Sequence, residues 1–134
     1  MTEEQTAAAR ACLAAAESDT ATFPAIVGAL IAAGFESYAV DFRRAAATYY
    51  LPSGDSLELP THKAATAIAP ALDDAGLTAA IREAQQQAPG YTYRGFCEQA
   101  AAAGCAGYIV SFPGRRAVYF ARTGQTHVEL FPGS

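Results

Sequence analysis

The chain has 134 residues, 51% of them hydrophobic, 10% aromatic and 16% charged, with a formal net charge of −4. That composition excludes a disordered chain, a collagen-like fibre and a disulfide scaffold, and the acidic balance speaks against a nucleic-acid partner, whose phosphates need a basic patch. About a quarter of the chain is alanine, so the core must draw its bulk from 7 Tyr, 7 Phe and the branched aliphatics, each Å² of apolar burial contributing roughly 25 cal/mol.

Thr2-Glu3-Glu4-Gln5 has the form of a capping box and opens a predicted helix over residues 3–17. Thr22 sits where a second N-cap belongs and Pro24 falls in the first turn. Ile26, Val27, Leu30 and Ile31 then recur at helical spacing, and Gly34 occupies the C′ position. The period next changes from 3.6 to 2. Tyr38, Val40 and Phe42 share one strand face, and Arg43-Arg44 mark a turn. A second strand is expected near 47–51, and a Gly-containing turn at 52–55 leads to a short third strand over 56–59. Residues 61–72 read as a connector in which Pro70 limits any helix. Asp73-Asp74 open a helix over about 75–87, ended by Pro89-Gly90.

The remainder repeats the first half. Under a shift of 70 positions, Thr22 falls on Thr92, Ala32-Ala33-Gly34 on Ala102-Ala103-Gly104, Tyr38 on Tyr108, Val40 on Val110, Phe42 on Phe112, Tyr49 on Tyr119 and Gly54 on Gly124, with no gap. The grammar is α-α-β-β-β written twice: an α+β fold, a two-layer sandwich with antiparallel strands. The expected organisation is one domain over 1–134, with pseudo-repeats at about 1–60 and 73–132. Sequence does not say whether the two sheets join. An edge-to-edge, pseudo-twofold junction is the expected arrangement, because a ~60-residue half buries too little surface to stand well alone.

Two stretches carry a family resemblance. One is Gly34-Phe35-Glu36-Ser37-Tyr38 with Thr48-Tyr49-Tyr50. The other is Ala103-Gly104-Cys105-Ala106-Gly107-Tyr108 with Gly114-Arg115-Arg116-Ala117-Val118-Tyr119-Phe120 and Thr126-His127-Val128-Glu129-Leu130-Phe131-Pro132-Gly133. The chain resembles the YdfO-like, YbcV-like bacterial proteins, a family of domains of unknown function (number 1398), some of which lie in prophages and carry a phage envelope label. The resemblance implies a two-layer α/β sandwich and no particular reaction, cofactor or catalytic residue.

The copies differ most at the third strand, where Leu57 and Leu59 fall on His127 and Glu129. Residues i and i+2 share a strand face, so imidazole and carboxylate are expected side by side, as a general acid–base pair requires. A different alignment sets Glu58-Leu59 on Glu129-Leu130 and makes His127 a bulge. A solvated His–Glu pair on an edge strand, worth under ~1 kcal/mol, is the plainer account. Tyr38, Tyr49, Tyr108 and Tyr119, with Arg43 and Arg116 at the hairpins, are the candidate lining of a ligand groove between the copies; the plainer role for these rings is to fill the core.

Cys12, Cys97 and Cys105 lack metal-ligand spacing and read as buried thiols in a reducing compartment. A metal held by His62 and His127 would need a convergence that spacing does not show, and no cofactor motif is present. The leading expectation is a cytoplasmic, non-enzymatic binding or regulatory module, monomer or homodimer, with no membrane partner and a small ligand or protein at the repeat junction. The alternatives are a small enzyme using His127 and Glu129, and a phage-derived assembly protein.

Overall fold

Each of the four helices starts at a side chain that accepts from its own exposed backbone N–H groups. Thr2 caps α1 (Glu3–Glu17) in a complete capping box, its hydroxyl accepting from Gln5 N at 3.1 Å while the Gln5 side chain accepts from Thr2 N at 2.9 Å. Thr22 caps α2 (Phe23–Ala32), Asp73 caps α3 (Asp74–Gln86) and Thr92 caps α4 (Tyr93–Ala102). The computed structural model describes residues 1–132; Gly133 of the family-like C-terminal run lies outside them.

The strands are β1 (Ser37–Asp41), β2 (Ala46–Tyr50), β3 (Ser56–Pro60), β4 (Cys105–Ser111), β5 (Arg116–Ala121) and β6 (Thr126–Leu130). They form one antiparallel sheet in the order β3-β2-β1-β4-β5-β6. The element order is α-α-β-β-β twice, and the two meanders join edge to edge through β1 and β4. In that pairing Ala39 lies opposite Ile109, its own equivalent under the shift of 70. Tyr38 lies opposite Val110, and Val40 opposite Tyr108, the same pair inverted. A pseudo-twofold axis therefore passes between Ala39 and Ile109.

Alternation along the strands assigns the two sheet faces. The helices cover the face that carries Tyr38, Val40, Tyr108 and Val110, all buried. On the other face Ile109 and Val128 are 44% and 46% exposed. The helices bury alanine along with bulk: Ala9 in α1, Ala80 in α3, and Ala100 and Ala101 in α4 are at most 3% exposed. Leu30, Leu77 and Val110 are the large side chains sealed completely, and the core runs continuously through both repeats. No helix among the described residues is long and apolar enough to cross a membrane.

The structure adds three local details. The connector forms no helix; the Glu98 carboxylate accepts from Ala65 N and Thr66 N, and Ala69 N donates to Ala101 O, which lays the connector along α4. β4 starts three residues ahead of Tyr108, directly after Gly104, with a register shift against β5 between Cys105 and Gly107. In the turns between β1 and β2 and between β4 and β5, the left-handed positions are the equivalent residues Ala45 and Arg115, both with φ of 50°.

Gly104 ends α4 with φ of 91°, and a Cβ there would stand 2.2 Å from the Ala71 carbonyl oxygen of the connector. Gly104→Ala is expected to destabilise the protein by about 2 kcal/mol or more in urea unfolding, combining left-handed strain with displacement of the connector. Gly28 is its opposite: exposed, inside α2, with no atom within 4 Å of the place a methyl group would take. Gly28→Ala is expected to raise stability by roughly 0.5–1 kcal/mol in the same assay.

Candidate functional site

Two rungs of side chains cross all six strands on the helix-covered face. One runs Leu57, Tyr49, Tyr38, Val110, Ala117, Glu129; the other runs Leu59, Ala47, Val40, Tyr108, Tyr119, His127. The pseudo-twofold axis exchanges them. It places Tyr38 and Tyr49 against each other at 5.5 Å between centroids, Tyr108 and Tyr119 at 5.4 Å, and Tyr38 edge-on to Tyr108 at 6.3 Å. The four candidate tyrosines thus form one aromatic floor on the axis.

Above this floor lies a cavity of about 590 Å³. Its walls come from both repeats: Cys12, Leu13 and Ala16 of α1, Ile26 of α2, Ile81 and Ala84 of α3, and Tyr93 and Phe96 of α4. The two helix–helix loops face each other across its mouth, bringing Asp19, Thr20 and Thr22 opposite Gln87 and Tyr91, with Phe23 and Phe131 edge-to-face at 5.8 Å on the rim. At roughly 24 cal/mol per Å³, a sealed void of this volume would cost about 14 kcal/mol, as much as a domain's whole stability. The fold instead opens the cavity to the surface between the loops, where Asp19, Thr20, Phe23 and Gln87 are exposed.

The tyrosines bring polar groups into this mostly apolar space. Tyr93 and Tyr108 share a hydroxyl–hydroxyl hydrogen bond of 2.7 Å. The hydroxyls of Tyr38, Tyr49 and Tyr119 bond to no protein group among the described residues. Yet no fully enclosed side-chain oxygen or nitrogen there lacks a partner, so these hydroxyls open onto the cavity their side chains line. Tyr38 and Tyr49 are otherwise only 7% and 4% exposed. Burial pushes the phenols of Tyr38, Tyr49, Tyr108 and Tyr119 well above their usual pKa, and that of Tyr91 to about 12. They stay neutral at physiological pH and can both donate and accept.

The β5–β6 register pairs Tyr119 with His127 and Ala117 with Glu129 without a shift, so the gapless repeat alignment holds and His127 is no bulge. His127 Nε2 is 3.1 Å from Glu129 Oε2, within the reach expected of the pair. Its Nδ1 is 3.0 Å from Asp74 Oδ1 in the first turn of α3, a partner that sequence spacing did not suggest. Both ring nitrogens are therefore engaged by carboxylates. The other Glu129 oxygen accepts from Gln85 Nε2 at 3.1 Å, so the β6 pair fastens α3 to the sheet, and Glu129 reaches the cavity wall.

Arg43 and Arg116 do not line the cavity. Arg43 lies in the exposed turn after β1, and Arg116 at the start of β5 donates through Nε to Gly114 O. The hairpin turns sit at the ends of the strands, and the cavity lies under the helix loops. His62 is bound to Glu17, backbone N to Oε1 at 2.7 Å and Nδ1 to Oε2 at 2.6 Å, so the two histidines belong to separate carboxylate pairs. Cys12, Cys97 and Cys105 are buried free thiols. Burial raises the pKa of Cys12, and takes Cys97 to about 12 and Cys105 to about 11, which leaves them without thiolate character. Tyr91 and Tyr93, which belong to the same cluster of tyrosines in the repeated units, and Phe96 on the apolar face of α4 line the cavity too. Tyr91 and Tyr93 flank a helix cap whose Thr92 alone carried a recognisable signal.

Residues 11–129 match the family described as a protein of unknown function, DUF1398, and the chain belongs to that family. No curated protein matches the chain.

Desolvation alone would raise the Glu129 pKa, but hydrogen bonds from His127 and Gln85 outweigh it and hold the carboxyl below its usual value. As pH falls, the unfolded chain therefore takes up this proton first, and the stability that Glu129 contributes above about pH 4.5 is lost through the folded pKa. Glu129→Gln is expected to show a shallower loss of stability than the wild type between pH 5 and pH 3, measured by urea unfolding at each pH.

Proposed function

We propose that this member of the DUF1398 family is a small-molecule binding protein whose ligand occupies the cavity on the repeat axis. The observation that carries the reading is a pair of hydroxyls on buried side chains, Tyr38 and Tyr49, that have no protein partner among the described residues and open into about 590 Å³ of mostly apolar space. Polar groups in such surroundings cost free energy unless bonded, and a ligand that bonds them while covering the aromatic floor recovers it. Size, concavity and a few convergent polar groups are the usual attributes of a ligand pocket. The ligand the walls suit is compact, largely apolar and ring-bearing, with a hydrogen-bonding group directed at the floor.

Binding is favoured over proton-transfer catalysis by the state of His127. An acid–base histidine needs one nitrogen free to face a substrate, whereas Asp74 and Glu129 occupy both. In this reading His127 positions Glu129 at the cavity wall.

The test uses 1-naphthalenemethanol as a neutral aromatic probe, with affinity read by calorimetry. Wild type is expected to bind it saturably. Tyr38→Phe, which removes one hydroxyl, is expected to weaken binding about fivefold, as for a single hydrogen bond near 1 kcal/mol. Ala84→Phe, which fills the cavity from the α3 wall, is expected to abolish binding while circular dichroism and the unfolding midpoint show an intact fold. Unchanged affinity in a folded Ala84→Phe would place the site elsewhere and defeat the proposal.

A further inference from the structure

Ionisable side chains reach the cavity with only one sign. Its lining holds two carboxylates, Asp19 at the mouth and Glu129 on the β6 wall, and no lysine or arginine among the described residues. The surroundings do not reverse this sign. His127 beside Glu129 is also bonded to Asp74, so even a protonated imidazole leaves that three-residue group with a net negative charge. Two arginines stand near without lining the cavity: Arg82 attracts Glu129 from the exposed side of α3, and the Arg115 guanidinium lies over the Phe131 ring at the rim, 5.9 Å from its centroid. Asp19 Oδ1 accepts from Tyr93 N at 2.8 Å, which directs the carboxylate to the mouth without supplying a cation. The floor adds to the same field, since tyrosine rings present a negative face.

We infer that the ligand is an organic cation, an amine or quaternary ammonium on an apolar, ring-sized body. This deepens the proposed binding function and rests on it. A carboxylate or phosphate ligand would enter a partly dehydrated space whose lining holds two like charges and no lysine or arginine among the described residues, a costly case for a buried ion. A cation meets aromatic faces and a carboxylate that is already oriented from behind by His127 and Gln85. The neutral phenols of Tyr38 and Tyr49 add acceptors without needing a counter-charge.

Three probes with one ring system separate the charge claim from the binding claim: 1-naphthylmethylamine, 1-naphthalenemethanol and 1-naphthoate, each titrated calorimetrically at pH 7 into wild type, Glu129→Gln and Asp19→Asn. Asn at position 19 keeps the oxygen that accepts from Tyr93 and tolerates the local φ of 57°. The amine is expected to bind wild type at least about tenfold more tightly than the alcohol, and naphthoate weaker than both. Each substitution is expected to shrink the amine-to-alcohol ratio, Glu129→Gln the more, and high salt to shrink it less than it would for a surface pair. If the three bind equally, or naphthoate binds best, the cation assignment is overturned and the binding function stands. If none binds, both fall.

Discussion

The antiparallel pairing of β1 with β4 is the constraint on which the rest of the molecule depends. It sets Ala39 opposite its own repeat equivalent, Ile109, and thereby turns a sequence duplication into a pseudo-twofold axis. Each meander alone would be a three-stranded sheet of about 60 residues with a vulnerable edge and too little core. Joined, they give one six-stranded sheet in which two side-chain rungs, exchanged by the axis, bring Tyr38, Tyr49, Tyr108 and Tyr119 together. A slip of one residue in this register would turn one repeat's pair of tyrosines to the opposite face from the other's.

The alanine-rich helices follow from the same arrangement. Alanine at positions 9, 80, 100 and 101 lets the helices lie close on each other and on the sheet. Above the axis, the two helix–helix loops face one another, and the space they leave is walled by aromatic rings rather than filled by aliphatic ones. Along the two rungs the repeats differ only at the outer strands. Where β3 presents Leu57 and Leu59 to the helix layer, β6 presents His127 and Glu129, and Asp74 and Gln85 of α3 meet them. One end of a symmetric frame has thus acquired charge, and that charge reaches the cavity.

Much of this was legible in the residues themselves. Thr2, Thr22, Asp73 and Thr92 announce helix starts because a short polar side chain next to an apolar period satisfies local N–H groups, and each is a cap in the structure. The period-2 run Tyr38, Val40, Phe42 and its copy give the buried face of the central strands. The repeat register also identified which tyrosines would meet. What it could not convey was long-range. The Asp74–His127 and Glu17–His62 contacts join residues 53 and 45 positions apart with no local signature. The hairpin arginines Arg43 and Arg116 are near the tyrosines in sequence, but a strand's length separates its turn from its middle, so they lie off the cavity. That Tyr91, Tyr93 and Phe96 join the cavity wall depends on how the helices pack over the sheet, which periodicity does not convey.

The claim at the centre of this account is that the shared tyrosine floor is the ligand-facing surface of both repeats. Backbone amide shifts followed by NMR during titration with 1-naphthylmethylamine test it directly. The account predicts perturbations at Tyr38, Tyr49, Tyr108 and Tyr119 and at the loops around Asp19 and Tyr91, from both halves of the chain and with one common dissociation constant. Perturbations confined to the open face around Ile109 and Val128, or to one repeat alone, would contradict it.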